Sequence, residues 1–335
     1  MIVYKDEIRR HAPATGPDHG KAGKYMDSVE RVEKIVSALE EASFGPLMTE
    51  PREFGMEAVE AVHDARLIRH IRSSEELEPG EAVYPYVFPY RSDFCSPRTD
   101  LHEAGYYCFD VGTVMQRGTF PAAKAAADSA LEGAEVLLEG EKDRVFALSR
   151  PPGHHADREF YGGMCFFNNA AIAARRLSRE GPVAVLDLDF HHGNGTQGIF
   201  YRDPEVLYVS IHGDPARHFP FLSGHPDERG EGAGEGFNRN LPLPPETDLE
   251  AYRVYLDRAL ERIGEFGPHA LVVSLGFDTH RGDILGDALF ESRDFQYLAG
   301  DLRGLDWPLL VCLEGGYDLE TIGSNAVHFA RGLFG

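Results

Sequence analysis

The sequence predicts an α/β fold with a central, mostly parallel sheet flanked by helices, and three features carry that prediction. Short β-branched runs recur along the chain, helical patterns separate them, and the runs lack the polar alternation of a half-solvated strand. Strands that are apolar throughout belong to parallel sheets covered on both faces.

The elements follow in chain order. "MIVYKDE" opens as a first strand. "SVERVEKIVSALEEA" (28–42) and "MEAVEAVHDARLIRHIRSS" (56–74) carry the apolar spacing of amphipathic helices. Residues 75–100 hold prolines and aromatics without a period, which reads as a long loop, either a lid or interface or a surface excursion whose aromatics pack on the body. The strands are "RVFALS" (144–149), "PVAVLDLD" (182–189), "EVLYVSIH" (205–212), "ALVVSLGFD" (270–278) and "PLLVCLEGG" (308–316). Between them, "NNAAIAARRLSREG" reads as a helix, as does "DLEAYRVYLDRALERIGEFG", with Asp248 as its cap and Gly267 as its stop. "LSGHPDERGEGAGEGF" is a second irregular loop. No repeat or linker divides the chain, so residues 1–335 are expected to form a single domain with a loop insertion at about 75–100.

Composition narrows the partners. The chain has 33 basic and 55 acidic residues, a net charge of −22, with the acids spread along its length. A phosphate backbone needs basic side chains, so nucleic acid is not an expected partner. The negative field either keeps molecules apart or draws in a cationic substrate. Four separated cysteines without a C-x-x-C pair argue against a thiolate zinc site or a disulfide framework and for the cytoplasm. No apolar run reaches membrane-spanning length and no signal core opens the chain, so no membrane partner is expected.

The chemistry concentrates in "DLDFHHGNGT" (187–196). In an extended strand Asp187, Asp189 and His191 share one face, while Leu186, Leu188 and Phe190 share the other. Two acids inside an apolar strand need a cation or several hydrogen bonds, and carboxylate with imidazole is a common zinc or iron donor set. "RPPGHHA" places His154 and His155 after another strand on a rigid turn, where each can titrate near neutrality. "VVSLGFDTH" ends in Asp278, and "LEGGYDL" puts Tyr317 on a Gly-Gly turn, from which a phenol can stabilise developing negative charge. All of these positions fall at the carboxyl ends of separate strands, where open α/β sheets place their ligand crevice. Asp189, His191 and Asp278 as three ligands would leave an open coordination position, the pattern of a catalytic site.

Taken together, "RPPGHHA", "YGGMCFFNNAA", "DLDFHHGNGTQGIFY", "VSIHGDP", "VVSLGFDT" and "LEGGYDL" resemble the zinc-dependent histone deacetylase and acetylpolyamine amidohydrolase superfamily, most closely its bacterial acetylpolyamine amidohydrolases. The resemblance spans nearly the whole chain and implies an eight-stranded, mostly parallel sheet, the arginase-deacetylase fold. It makes Asp189, His191 and Asp278 the ligands of Zn²⁺, with Fe²⁺ as an alternative. His155 becomes general base and then acid, His154 its electrostatic partner, and Tyr317 the group polarising the carbonyl. Asp187 and Asn194 orient His154 and His155. A structural K⁺ is implied at Asp187, Asp189, His191, Ser210 and Ile211, and a substrate tunnel lined by Gly163, Met164, Phe219 and Leu285.

The implied reaction is hydrolysis of an N-acetyl amide on a small linear amine, with acetate as product. The 75–100 loop resembles the insertion through which such enzymes form a homodimer and narrow their entrance. One departure stands out: where polyamine-cleaving relatives carry glutamates at the mouth, this chain has Leu101 and Gly112, leaving Asp93, Asp100 or Glu103 as substitutes. Acetyllysine peptides or other small amides are the alternative substrates within the family. A binuclear manganese ureohydrolase would need D-A-H-x-D and D-x-D-x-x-D strings that the sequence lacks, and a silent acyl-amine sensor would not need the complete catalytic set.

Overall fold

The computed structural model describes residues 1–18, 21–88 and 100–335. Eight strands form its main sheet: β1 (Ile2–Val3), β2 (Met48–Thr49), β3 (Arg144–Ala147), β4 (Val183–Asp187), β5 (Val206–Gly213), β6 (Asn238–Leu243), β7 (Ala270–Leu275) and β8 (Leu309–Leu313). Their order is β6-β5-β4-β7-β8-β3-β1-β2, and every pair is parallel. The chain leaves β3 for β4, three positions away, and later returns to fill the gap with β7 and β8. The carboxyl ends of β3, β4, β7 and β8 therefore lie side by side at the centre of the sheet.

Helices cover both faces. α1 (Val29–Glu41), α2 (Ala65–Arg72), α3 (Asp100–Tyr107), α4 (Thr119–Leu138), α5 (Asn169–Leu177), α6 (Asn194–Phe200), α7 (Leu249–Phe266), α8 (Asp294–Arg303) and α9 (Ile322–Phe334) are the principal ones. Val183, Val185 and Val272 pack into a core with α4 and α5. Ala184, Leu186, Leu271 and Val273 pack into a second core with α1, α7, α8 and α9. Side chains alternate across a strand, so apolar neighbours fill both layers at once.

Local expectations hold where caps decide. Asp248 accepts the Ala251 N–H at 2.9 Å to open α7, and Gly267, at φ 68°, closes it. They fail where the pattern is ambiguous. The helix expected over 56–74 is divided into a turn, Glu57–Glu60, and α2, because Asp64 caps the Arg66 N–H at 2.8 Å and starts a new helix. The strand expected over 182–189 ends at Asp187, so Asp189 and His191 stand on the segment beyond it. Strand β6, "NRNLPL", went unpredicted: it is an edge strand whose Asn238 and Asn240 turn inward to Gln197.

Candidate active site

Three donors converge beyond β4 and β7. The ligand atoms of Asp189, His191 and Asp278 lie within 4.8 Å of one another, and all three residues are buried. Backbone N–H groups hold the carboxylates: His191 and Gly315 donate to Asp189, each at 2.8 Å, and Phe190 donates to Asp278 at 3.0 Å. His191 Nε2 faces the Leu285 carbonyl oxygen at 3.2 Å, which leaves Nδ1 toward Asp278 at 2.9 Å and Asp189 at 3.3 Å. A ring nitrogen tied to backbone while its mate faces carboxylates is the usual setting of a metal-bound histidine. Space for the carboxylates comes from Gly276 and Gly315, where a Cβ would stand 2.2 and 2.6 Å from Asp189 Oδ2.

The electrostatics call for a cation. Burial and the neighbouring Asp189 charge push Asp278 up to about 7. Burial disfavours charge on His191 too, but hydrogen bonds to Asp189 and Asp278 outweigh it and push the imidazole up to about 10. A proton on His191 thus offsets one of the two carboxylate charges of the site. A divalent ion fits the same donors and would displace it.

Beside the trio, two histidines are held in opposite states. His154 Nδ1 lies 3.2 Å from Asp187 and its Nε2 3.7 Å from Asp189. Burial opposes its charge, yet Asp189 and Asp187 push it up to about 10. His155 Nδ1 meets the Asn194 side-chain oxygen at 2.8 Å. Burial, then the charges of His154 and His191, push it well below the ordinary histidine value. The two imidazoles, with ring centroids 4.0 Å apart, are thus pushed in opposite directions, His154 toward the charged form and His155 toward the neutral one.

Asp187 also accepts the Tyr208 hydroxyl at 2.9 Å, and Ser210 lies opposite it in the β4–β5 register. Ile211 follows on β5, buried against the α7 side. Tyr317 lies with its ring 4.7 Å from the Arg31 guanidinium, and its N–H donates to Asp283 at 2.5 Å. Burial pushes its phenol well above 10, so it stays protonated as a donor.

Two of the residues expected to line a substrate arm, Phe219 and Gly163, lie against His155, and Met164 follows on the same turn. Phe219 meets the His155 ring edge-on at 4.9 Å. Gly163, at φ 57°, abuts the same ring so closely that a Cβ would lie 2.2 Å from it, which requires glycine there. Met164 follows at φ 65°, its N–H bonded to Thr113 Oγ1 at 2.8 Å. Asp110 holds the same turn through the Gly163 N–H at 2.5 Å.

Sequence reasoning missed several supports. Phe109 stacks on Phe219 at 5.8 Å, and Arg31, Glu314 and Asp110 brace the turns, though each sits far in sequence from what it braces. Of the proposed mouth acids, Glu103 faces His70 Nδ1 at 3.4 Å. Asp93 lies outside the described residues, as do the side chains of Asp100 and Leu101. Gly112 donates its N–H to Asp110 at 2.5 Å.

This fold and this convergence of carboxylates and imidazoles define a class, the deacetylases built on a parallel α/β sheet. The histone deacetylase domain model matches residues 25–333. The chain is 39% identical to acetylpolyamine amidohydrolase 1 of Pseudomonas aeruginosa, covering 100% of this chain and 99% of that one. It is 40% identical to acetylpolyamine amidohydrolase of Mycoplana ramosa with the same coverage. A crystal structure of acetylpolyamine aminohydrolase from Burkholderia pseudomallei superposes with a TM-score of 0.93 at 35% identity, covering 99% of this chain and 98% of that chain. The protein belongs to the histone deacetylase family, a metal-dependent one, and is a deacetylase enzyme.

Proposed function

We propose that this enzyme hydrolyses the N-acetyl amide of a small, linear, cationic amine, an acetylpolyamine or close analogue, and releases acetate. The observation that carries the reading is the buried trio Asp189, His191 and Asp278 beside His154, paired with Asp187, and His155, paired with Asn194. Zn²⁺, or Fe²⁺ in its place, held by those three residues would supply Lewis-acid polarisation of the carbonyl and the attacking water.

The chain's own groups do the rest. His155, its Nδ1 tied to Asn194, uses Nε2 to take the water's proton and returns it to the departing amine. His154, oriented by Asp187, stays positive and favours the negative tetrahedral state. The Tyr317 phenol donates a hydrogen bond to the carbonyl oxygen as its charge grows. Gly163, Met164, Phe219 and Leu285 line the arm of the substrate. Bound K⁺ at Asp187, Asp189, His191, Ser210 and Ile211 would offset the buried Asp187 charge.

The net charge of −22 and the full-length similarity to acetylpolyamine amidohydrolases support a cationic substrate. The whole chain, 1–335, is then one deacetylase domain with an insertion at about 75–100. That insertion would mediate a homodimer; in its described part Tyr84, Tyr86, Val87 and Phe88 are exposed. Cys108, Cys165 and Cys312 are free thiols, and no described helix is long and apolar enough to cross a membrane, in keeping with a cytoplasmic enzyme.

The test is kcat/KM on N-acetylputrescine, N-acetylcadaverine, acetylspermidine and an acetyllysine peptide, with and without chelator. The small amines are expected to lead and chelation to abolish turnover. A preference for the peptide would overturn the substrate assignment, and chelator-resistant turnover the metal assignment.

A further inference from the structure

Glu314 is a buried carboxylate that the proposed reaction leaves unused. It directly follows β8 and bonds to the turn after β3, to β7 and to Arg31. Its Oε2 accepts the N–H of Gly153 at 2.6 Å and of His154 at 3.1 Å, the turn that carries both histidines. Its Oε1 accepts the Ser274 hydroxyl of β7 at 3.1 Å. Its carbonyl oxygen accepts from Arg31 at 2.7 Å, and the same guanidinium reaches the Gly316 carbonyl oxygen, next to Tyr317, at 2.5 Å. The following N–H, of Gly315, is the one that holds Asp189.

We infer that Glu314 is a positioning residue that sets the distance of the His154–His155 turn from the ion-holding trio and from Tyr317. The inference rests on the roles proposed above for those groups. Turn 150–155 emerges from β3 and the Gly-Gly-Tyr turn from its neighbour β8, and nothing in the β-ladder fixes how two loops beyond the strand ends sit against one another. A carboxylate does so because both its oxygens accept: two N–H groups of the turn converge on Oε2 while Oε1 is held by the Ser274 hydroxyl of β7. His154, Cys165 and Glu314 also bring N, S and O atoms within 4.8 Å of one another. Hydrogen bonds already engage them, Cys165 with the Gly163 carbonyl oxygen at 3.4 Å and Glu314 as above, so the group acts as a staple between loops.

The test compares Glu314→Leu, Glu314→Gln, Ser274→Ala and His155→Ala as metal-loaded full-length proteins, measuring kcat, KM, metal content and Tm. Glu314→Leu is expected to lower kcat by about 100-fold, the effect of misplacing a reacting group by roughly an ångström, with KM and metal content near those of the parent. Glu314→Gln, which keeps one acceptor oxygen for the turn but replaces the other with an NH2 group, is expected to recover only in part, to about three- to tenfold below the parent. Ser274→Ala leaves both turn bonds in place and should cost under about threefold. A purely structural role would lower Tm but leave kcat per metal-loaded enzyme unchanged. A folded Glu314→Leu protein with kcat within about threefold of the parent overturns the inference. Should that variant not fold, Glu314→Gln within about twofold does the same. If His155→Ala remains active, the underlying catalytic roles fail instead.

Discussion

The floor and the rim of the site are built differently. At the floor, Asp189, His191, Asp278, His154 and His155 are buried, and each has a hydrogen-bond partner that fixes its orientation. Near the proposed wall residues in sequence, Phe221, Leu222 and Ile284 are exposed apolar side chains, Leu222 at 91%, as is Val111 beside Asp110, and these four are taken as the rim. Chemistry needs preorganised donors in a low-dielectric place, whereas selection among amines needs only shape and charge at an entrance. The difference separates what the fold determines from what the loops are free to change.

The most severe way to break the floor is Asp278→Asn. Bound metal is expected to fall from one per chain toward zero in elemental analysis, and activity to fall to background. His155→Ala should retain metal while kcat drops by about 10²–10⁴-fold, the usual contribution of a positioned acid–base group. Tyr317→Phe should lower kcat by about 10²–10³-fold with little change in KM, measured with N-acetylputrescine at saturation.

A milder change sharpens the contrast between the two histidines. His155 is held below the ordinary value, so kcat/KM should rise with pH through an acid limb lying below about 6.5 and then level off. Asn194→Asp places a carboxylate on Nδ1, favours the protonated ring and should move that limb to higher pH in a pH–rate profile. At the rim, Phe219→Ala should raise KM by about tenfold with kcat less affected. Leu222→Ser, further out, should stay within about twofold in both constants.

How legible each region is follows from the same contrast. The floor's residues cluster in strings such as "DLDFHHGNG" and "RPPGHHA" because strand ends bring neighbours in sequence into one crevice. The α/β alternation was equally readable, since β4, β5, β7 and β8 are short apolar runs. Helix α4 escaped notice because it is buried almost all round and so lacks a polar face to mark its period. β6 escaped because Asn238 and Asn240 are kept inside by Gln197, a partner some forty residues away. The bracing of Glu314 on Gly153 spans 161 positions, and no local pattern encodes a bond of that separation.

Leu285 would do two jobs: in the proposed reading its side chain lines the substrate arm, while its carbonyl oxygen faces the imidazole of His191 at 3.2 Å. Remodelling the 283–287 segment for a new amine would therefore loosen the grip on the ion, coupling selectivity to cofactor retention. The Phe219–Leu222 side meets the floor through packing of the Phe219 ring on His155 and His191, so substitutions there would alter substrate choice without disturbing the donors that would hold the metal.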